Sequence, residues 1–500
     1  MNEVNDRVSQ DGMQCIVAAG KKTLRELLLG LDVTVRSVDL GTGVSHLVHH
    51  SAECTAGSLF FAVPGTTVNG AMYIANALAN GAVAVVCEDE MDFKIPHIVV
   101  PNVRTAMSEI AKTFYDNACD KMDIVGITGT NGKTTTANMI YHVMRARGIG
   151  VGVIGTLGAK AWDGNTETVM ECKLTTPDPI ELHKTFHRMV AMGVRTAVME
   201  CSAHAIHLRK LVGINFRVGI FTNLSMDHLD FFGTYRKYAD TKVNWFADPQ
   251  IKTSIINIDD IEGTKIKSKR IVKYSLGDVT ELKLLPQRSR FRLGGVKFEI
   301  PASGRFNVYN ALAVIACCRE LGIALRDIAR GFAVLPTVPG RFNVINVGDA
   351  CAVVDFAHTP DALSKIIESC RELLNDGGRL ITVFGCGGNR DMGKRPIMGT
   401  VSARHSDFTV ITSDNPRMES PRSIALQILA GVKIHTDKYH MEIDRTAAIN
   451  YALDMARAGD IVLIAGKGAE DYLDIGGRKT PYSDYAVIDA WKATKIGKIS

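Results

Sequence analysis

The chain has 500 residues, 46% hydrophobic and 22% charged, with 58 basic against 53 acidic side chains and a net charge of +5. This is close to the globular average and excludes a collagen, a disordered tail protein and a disulfide-stapled mini-domain. At roughly 150 residues per domain the length predicts about three domains, and the balanced charge gives no argument for nucleic acid.

Taken in chain order, the opening Met1-Asn2-Glu3-Val4-Asn5-Asp6 lacks a basic start followed by an apolar stretch, so no targeting segment is expected. Runs with a buried-strand pattern follow at 82–86, 98–100, 123–127 and 196–199, and later at 409–411 and 461–464. Amphipathic stretches such as 105–115, 134–147 and 361–374 lie between them and predict helices. Alternation of this kind predicts an α/β fold with parallel strands. The apolar runs are strand-length, far short of the roughly 18 residues a membrane helix needs. Breaks at Pro96 to Pro101 and at Pro336-Thr337-Val338-Pro339-Gly340 divide the chain into expected domains at 1–103, 104–340 and 341–500. Eleven cysteines, scattered apart from Cys317-Cys318 and without CxxC spacing, predict reduced thiols in a cytoplasmic protein.

The strongest local signal is Gly126-Ile127-Thr128-Gly129-Thr130-Asn131-Gly132-Lys133-Thr134-Thr135-Thr136, set between an apolar strand and an amphipathic helix. Glycines let backbone N–H groups turn around an anion, and the helix N-terminus adds a positive dipole. Lys133 can then reach β- and γ-phosphates, and the Thr134 hydroxyl can hold Mg²⁺. The motif departs from a strict Walker A sequence, with Ile127 where a glycine is required. A Gly-rich turn without ligand is the alternative.

Glu200 ends an apolar strand, where open α/β sheets face their ligand crevice, and a carboxylate there suits a hard cation. A solvated acid is the alternative. His228, in Met226-Asp227-His228-Leu229-Asp230, reads by itself as a surface residue beside a helix-capping Asp. Lys242 lies fourteen residues later, with nothing in its surroundings to mark it. Asn307 and Asn310 share one helical face, where Asn307 reads as a helix cap.

The variant Thr-Gly-Thr-Asn-Gly-Lys-Thr resembles the phosphate loop of the Mur ligases, ATP-dependent amide-forming enzymes of bacterial cell-wall synthesis. Thr175-Thr176-Pro177, Glu200-Cys201-Ser202-Ala203-His204, the 221–230 segment and Pro339-Gly340-Arg341 extend the resemblance in order. So do Asp355-Phe356-Ala357-His358-Thr359-Pro360, the 384–391 segment, Asp414-Asn415-Pro416-Arg417 and Gly466-Lys467-Gly468-Ala469-Glu470. The resemblance implies three α/β domains: a UDP-sugar domain, a central phosphate-loop domain and a C-terminal Rossmann-like domain for the amino acid. It implies ATP held by Gly129, Thr130, Asn131, Gly132, Lys133, Thr134, Thr135, Asn307 and Asn310. Arg341, Asp355 and His358 would meet the nucleotide from the C-terminal side on domain closure. Glu200 with Thr134 would bind one Mg²⁺, and His228 with a carbamylated Lys242 a second. Lys133, Glu200, His228 and Lys242 thus form the expected catalytic set.

Arg417 carries the specificity reading, because family members that add meso-diaminopimelate have Asp-Asn-Pro-Arg here. A guanidinium can clamp the carboxylate by which diaminopimelate differs from lysine. Arg390, Asp414, Asn415, Gly466 and Glu470 match the other amino-acid positions, with Glu470 facing the ammonium. Thr175, Thr176, Ser202, Ser51 and Lys210 match positions for the nucleotide sugar and its peptide. The sequence departs from the family at His50-Ser51-Ala52-Glu53, where Asp-Ser-Arg is usual, at Lys210, where an arginine is usual, and at Ala469, where a histidine is usual.

The reading implied is an ATP-dependent ligase adding meso-diaminopimelate to UDP-N-acetylmuramoyl-L-alanyl-D-glutamate through an acyl phosphate, in peptidoglycan precursor synthesis. A monomer is expected, without nucleic-acid or membrane partners. Alternatives are a lysine-adding member, a folylpolyglutamate-type ligase, or a nucleotide-binding relative with a dead site.

Overall fold

The computed structural model describes residues 20–65, 69–92, 94–285, 287–374 and 377–496. The Met1 to Asp6 opening, on which the expectation of no targeting segment rests, lies outside them. The described chain forms two compact units.

The first unit takes the described residues between 20 and 123 together with 177–195 and 208–214. Its sheet has the order Thr34–Arg36, His97–Val99, Ala82–Cys87, Ser58–Phe61, His46–Val48, parallel except at the first pair. Ser58–Phe61 is buried along its whole length, as a strand covered on both faces must be. The helix Val103–Phe114 is capped by the Asn102 side chain and buries Val103, Met107, Ile110 and Phe114 against the sheet's apolar core. The helix Pro179–Ala191 opens with proline at its first turn, where no backbone N–H is needed, and packs on Val103–Phe114.

The second unit takes 124–176, 196–207 and the described residues between 215 and 496. Its larger sheet runs Glu167–Met170, Gly158–Trp162, Val151–Gly155, Thr196–Glu200, Asp123–Thr128, Phe216–Phe221, Ile251–Asn257, Ile271–Tyr274. The helices Lys133–Arg145 and Arg305–Glu320 cover one face, contributing Ile140, Val143, Leu312 and Ile315 to a shared core. An antiparallel sheet of Thr280–Leu285, Arg288–Leu293 and Val296–Ile300 adds Phe291 and Phe298 to that core. The remaining sheet has the order Asn343–Val347, Ala350–Asp355, Ile461–Ala465, Leu380–Phe384, Phe408–Ile411, Tyr439–Met441. It is parallel apart from its first pair and has separate apolar cores on its two faces.

The α/β class and each strand read from the sequence appear, with ends shifted by a residue or so: 196–199 becomes Thr196–Glu200, and the 134–147 helix becomes Lys133–Arg145. Among the described residues no disulfide is formed, and no helix is long and apolar enough to cross a membrane.

Candidate active site

The phosphate loop joins the strand Asp123–Thr128 to the helix Lys133–Arg145, and Gly132 takes a left-handed φ of 86° at the helix start. A side chain on Gly129 would collide with Thr222 Oγ1, and one on Gly132 with Asn310 Oδ1. The loop is held from the neighbouring strand end. Thr222 Oγ1 donates to the Asn131 carbonyl (2.7 Å), and Asn223 accepts from the N–H groups of Thr130 (2.8 Å) and Asn131 (3.1 Å). Lys133 Nζ curls over the loop and donates to the carbonyls of Gly129 and Thr130, both at 2.9 Å. Burial lowers its pKa, against the pull of Glu200 and Asp227. Thr135, the next helical residue but one, is buried.

Glu200 ends its strand at 1% exposure. Its Oε2 accepts from Thr134 Oγ1 (3.0 Å) and its Oε1 from the Thr156 N–H (2.8 Å). Thr156 Oγ1 also lies 3.2 Å from Thr175 Oγ1. Thr176 Oγ1 donates to the Glu200 carbonyl (2.8 Å) and accepts from the Ser202 N–H (3.1 Å). The expected substrate residues Thr175, Thr176 and Ser202 therefore adjoin the expected metal carboxylate, with Thr156 as an unforeseen link. A hydroxyl and a carboxylate are hard oxygen donors, which fit Mg²⁺ completed by water and substrate phosphate. Among the described residues no group of three or more His, Cys, Asp or Glu is arranged to hold a metal ion.

Lys242 lies on the helix Tyr235–Trp245 and is 1% exposed. Its Nζ donates to the Gly129 carbonyl and the Tyr238 hydroxyl, both at 2.6 Å, and Tyr238 in turn lies 3.0 Å from Thr130 Oγ1. Burial, and then the nearby Lys133, push its pKa well below the lysine value. An amine favoured neutral is the form able to take up carbon dioxide; the unmodified group offers no anionic oxygen to a cation. His228 is exposed, in a left-handed backbone conformation (φ 53°), and its N–H donates to Asp227 Oδ1 (2.8 Å). Burial raises the Asp227 pKa, but His228, His358, the His228 backbone N–H and Lys133 together make the net shift downward.

Asn307 and Asn310 are buried on the helix Arg305–Glu320, whose N-cap is Gly304 rather than Asn307. Asn307 Nδ2 donates to the Ser303 carbonyl (2.7 Å), Asn310 Nδ2 to Asn307 Oδ1 (3.2 Å), and Thr136 Oγ1 to Asn310 Oδ1 (3.4 Å). The pair thus braces the phosphate-loop helix. Arg341 stacks over the Phe356 ring (4.8 Å) and donates to Thr134 Oγ1 (3.3 Å). Asp355 is buried and accepts from the N–H groups of Phe342 (2.8 Å) and Ala357 (2.7 Å), so its visible work is to shape the segment bearing Arg341. His358 is exposed, with Nδ1 2.8 Å from the Phe356 carbonyl.

A second cluster gathers at the strand ends of the six-stranded sheet. Asp414 is buried, accepts the Asn415 N–H (2.6 Å), and would collide with any side chain on Gly466. Asn415 Nδ2 donates to Glu470 Oε2 (2.8 Å). Arg417 has a left-handed backbone (φ 50°), donates from Nη1 to the Gly388 carbonyl (2.7 Å), and bridges to Ile475 on the hairpin Tyr472–Ile475/Arg478–Pro481. Arg390 is exposed, its Cγ beside Gly387. Lys467, quoted in its motif but given no role, lies buried beneath Asn415 and Glu470. Gly466 N–H donates to the Asp355 carbonyl (3.1 Å), which ties this cluster to the segment carrying Arg341.

In the first unit, Lys210 pairs with Asp178 (2.7 Å), with His49 Nε2 3.8 Å from the same carboxylate. The Ser51 carbonyl accepts from Asn80 Nδ2 (2.9 Å).

A glycine-cradled loop feeding a helix, with a lysine over it and a carboxylate on the adjacent strand end, defines a nucleotide-using α/β enzyme of the phosphate-loop class. Comparison with known proteins narrows the class. Residues 44–115 match the model described as Mur ligase family, catalytic domain; 127–318 match the Mur ligase middle domain; 340–468 match the Mur ligase, glutamate ligase domain. A UDP-N-acetylmuramoyl-L-alanyl-D-glutamate–2,6-diaminopimelate ligase of Geobacillus thermodenitrificans is 38% identical over 460 residues, covering 88% of this chain and 93% of that protein. One of the same name from Alkaliphilus oremlandii is 38% identical over 481 residues, 93% and 97% of the two chains. A solved structure of a ligase of that name superposes with TM-score 0.67 at 28% identity, covering 95% of this chain and all of that one. The MurF ligase of Thermotoga maritima in complex with ADP shares the fold, with TM-score 0.57 at 20% identity over 91% of this chain and 98% of that one. The chain belongs to the Mur ligase family and is an ATP-dependent ligase that forms carbon–nitrogen bonds.

Proposed function

We propose that this enzyme joins meso-diaminopimelate to UDP-N-acetylmuramoyl-L-alanyl-D-glutamate in the cytoplasm, as a monomer, for peptidoglycan synthesis. The observation that carries the reading is Arg417. It is held by Gly388 and the Ile475 bridge in the same cluster as Glu470, so a guanidinium and a carboxylate stand ready for the carboxylate and ammonium of one diamino acid. In this reading the γ-carboxylate of the D-glutamate attacks the γ-phosphorus of ATP, ADP leaves, and an acyl phosphate forms. The diaminopimelate amine then adds to the acyl carbon, and phosphate and a proton depart as the amide forms.

The phosphate loop orients ATP, while Lys133 and Arg341 supply fixed positive charge where the transferred phosphoryl group becomes more anionic. Thr134 and Glu200 would hold one Mg²⁺, and His228 with carbamylated Lys242 a second. When bound, these ions supply further charge neutralisation. Thr175, Thr176 and Ser202, beside Glu200, suit the acceptor's reacting end, and Ser51 and Lys210 suit the nucleotide sugar. The Asp178 carboxylate that pairs with Lys210 already partly neutralises that cation.

The test is ADP release by the purified full-length enzyme with ATP, Mg²⁺ and the nucleotide dipeptide. Turnover that depends on meso-diaminopimelate, with lysine at least about a hundredfold poorer in kcat/KM, is expected from a lost charge-assisted pair. Equal use of lysine would overturn the role given to Arg417.

A further inference from the structure

Lys467 follows the strand Ile461–Ala465 and has a fully buried side chain. Its Nζ donates to Asn415 Oδ1 (3.2 Å) and Glu470 Oε2 (2.9 Å), and lies 5.4 Å from the centroid of the Tyr472 ring. Asn415 Nδ2 donates to the same Glu470 Oε2 (2.8 Å), so three side chains from two loops close a ring. The Asp474 N–H also donates to Asn415 Oδ1 (3.0 Å). The amide orientation of Asn415 is thereby dictated: reversed, its NH₂ would face an ammonium and an N–H.

This ring has a consequence for recognition. Asn415 spends its oxygen on two donors within the protein and one N–H on Glu470. It serves as a strut. Glu470 Oε2 carries two bonds, whereas Oε1 has no hydrogen-bond partner among the described residues. A carboxylate pinned through one oxygen presents the other in a single direction, the condition for reading a ligand ammonium. Burying an ammonium is costly, and an apolar side chain of the same length would serve the fold as well.

We propose that Lys467 is a positioning residue for amino-acid recognition, holding Glu470 and Asn415 so that Glu470 Oε1 meets the ammonium of the incoming diamino acid. This rests on the function proposed above. Full-length enzyme is assayed for ADP release with meso-diaminopimelate varied, for wild type, Lys467→Met, Glu470→Gln and the double variant. Lys467→Met is expected to raise KM for the diamino acid tenfold or more, the scale seen when a supporting partner is lost, with KM for ATP within about twofold. Because Lys467 acts through Glu470, the double variant should bind the diamino acid no worse than Glu470→Gln alone. An unchanged KM in folded Lys467→Met, or a double variant tenfold worse than Glu470→Gln, would overturn the proposal. If Lys467→Met does not fold, the double variant, which removes both charges, carries the test against Glu470→Gln. Wild type without diaminopimelate-dependent turnover would instead sink the functional reading itself.

Discussion

Arg341 and Thr134, 207 residues apart, meet at 3.3 Å between a guanidinium Nη2 and a hydroxyl. The same hydroxyl donates to Glu200, so one threonine joins the phosphate loop, the adjacent carboxylate and the C-terminal segment. Behind Arg341, Gly340 packs so tightly on the Gly468–Ala469 backbone that a side chain there would collide with it. Arg341 is thus anchored on the loop that continues to Glu470. The loop proposed for the amino acid and the arginine proposed for the nucleotide are therefore parts of one arrangement.

That arrangement predicts how loss of Arg341 reads out. Arg341→Ala should lower kcat by about a thousandfold, the scale of an arginine that stabilises phosphoryl transfer. KM for the diamino acid should move by no more than a few-fold, because the 466–470 loop keeps its own bonds. Steady-state kinetics with each substrate varied separates the two. A large rise in amino-acid KM at unchanged kcat would assign Arg341 to the wrong half of the reaction.

Gly155 sets the position of Glu200 from the neighbouring strand. Any side chain there would run into Glu200 Oε1, whereas the Gly155 backbone itself has no left-handed strain to forbid an alanine. Gly155→Ala should therefore turn the carboxylate away from Thr134 and Thr156 and mimic Glu200→Gln, each costing about a hundredfold or more in kcat. The measurement is turnover of both variants and of their combination. Additive losses would mean that Gly155 acts by some route other than Glu200.

Much of this site was legible in the sequence because its parts are local. The phosphate loop announces itself by glycines between a strand and a helix, and Glu200 by ending an apolar run. The motif order pointed to the 466–470 segment, proposed above to meet the amino acid. What the sequence hides are meetings across long separations. Thr156 belongs to no motif, yet it holds Glu200 from a strand end 44 residues away. Lys467 looks like any lysine until the fold sets it under Asn415, 52 residues distant. Asn307 and Asn310 share one helical face, but the bond from Thr136 to Asn310 depends on how two helices pack. The hairpin Tyr472–Ile475/Arg478–Pro481 carries too short an apolar pattern to announce itself, and its value lies in pairing with Arg417.

His183 makes the first unit sensitive to acid. It lies on the helix Pro179–Ala191 with no exposed surface, and neither ring nitrogen has a hydrogen-bond partner among the described residues. Burial, helped by Lys112, pushes its pKa down to about 3. The folded state therefore keeps the ring neutral, while the unfolded chain protonates it below about pH 6.5. Stability is unaffected by this group above that pH and falls as pH drops from about 6.5 toward 3. By pH 5 the loss from His183 alone is about 2 kcal/mol. His183→Leu removes both the titration and a buried polar ring left without partners, so it should be more stable than wild type at pH 8 by about 1 kcal/mol. That advantage should grow by about 2 kcal/mol between pH 8 and pH 5. Thermal unfolding of both proteins across this range provides the check. A melting-temperature difference that stays constant with pH would mean that the buried imidazole finds a proton partner as the chain is acidified.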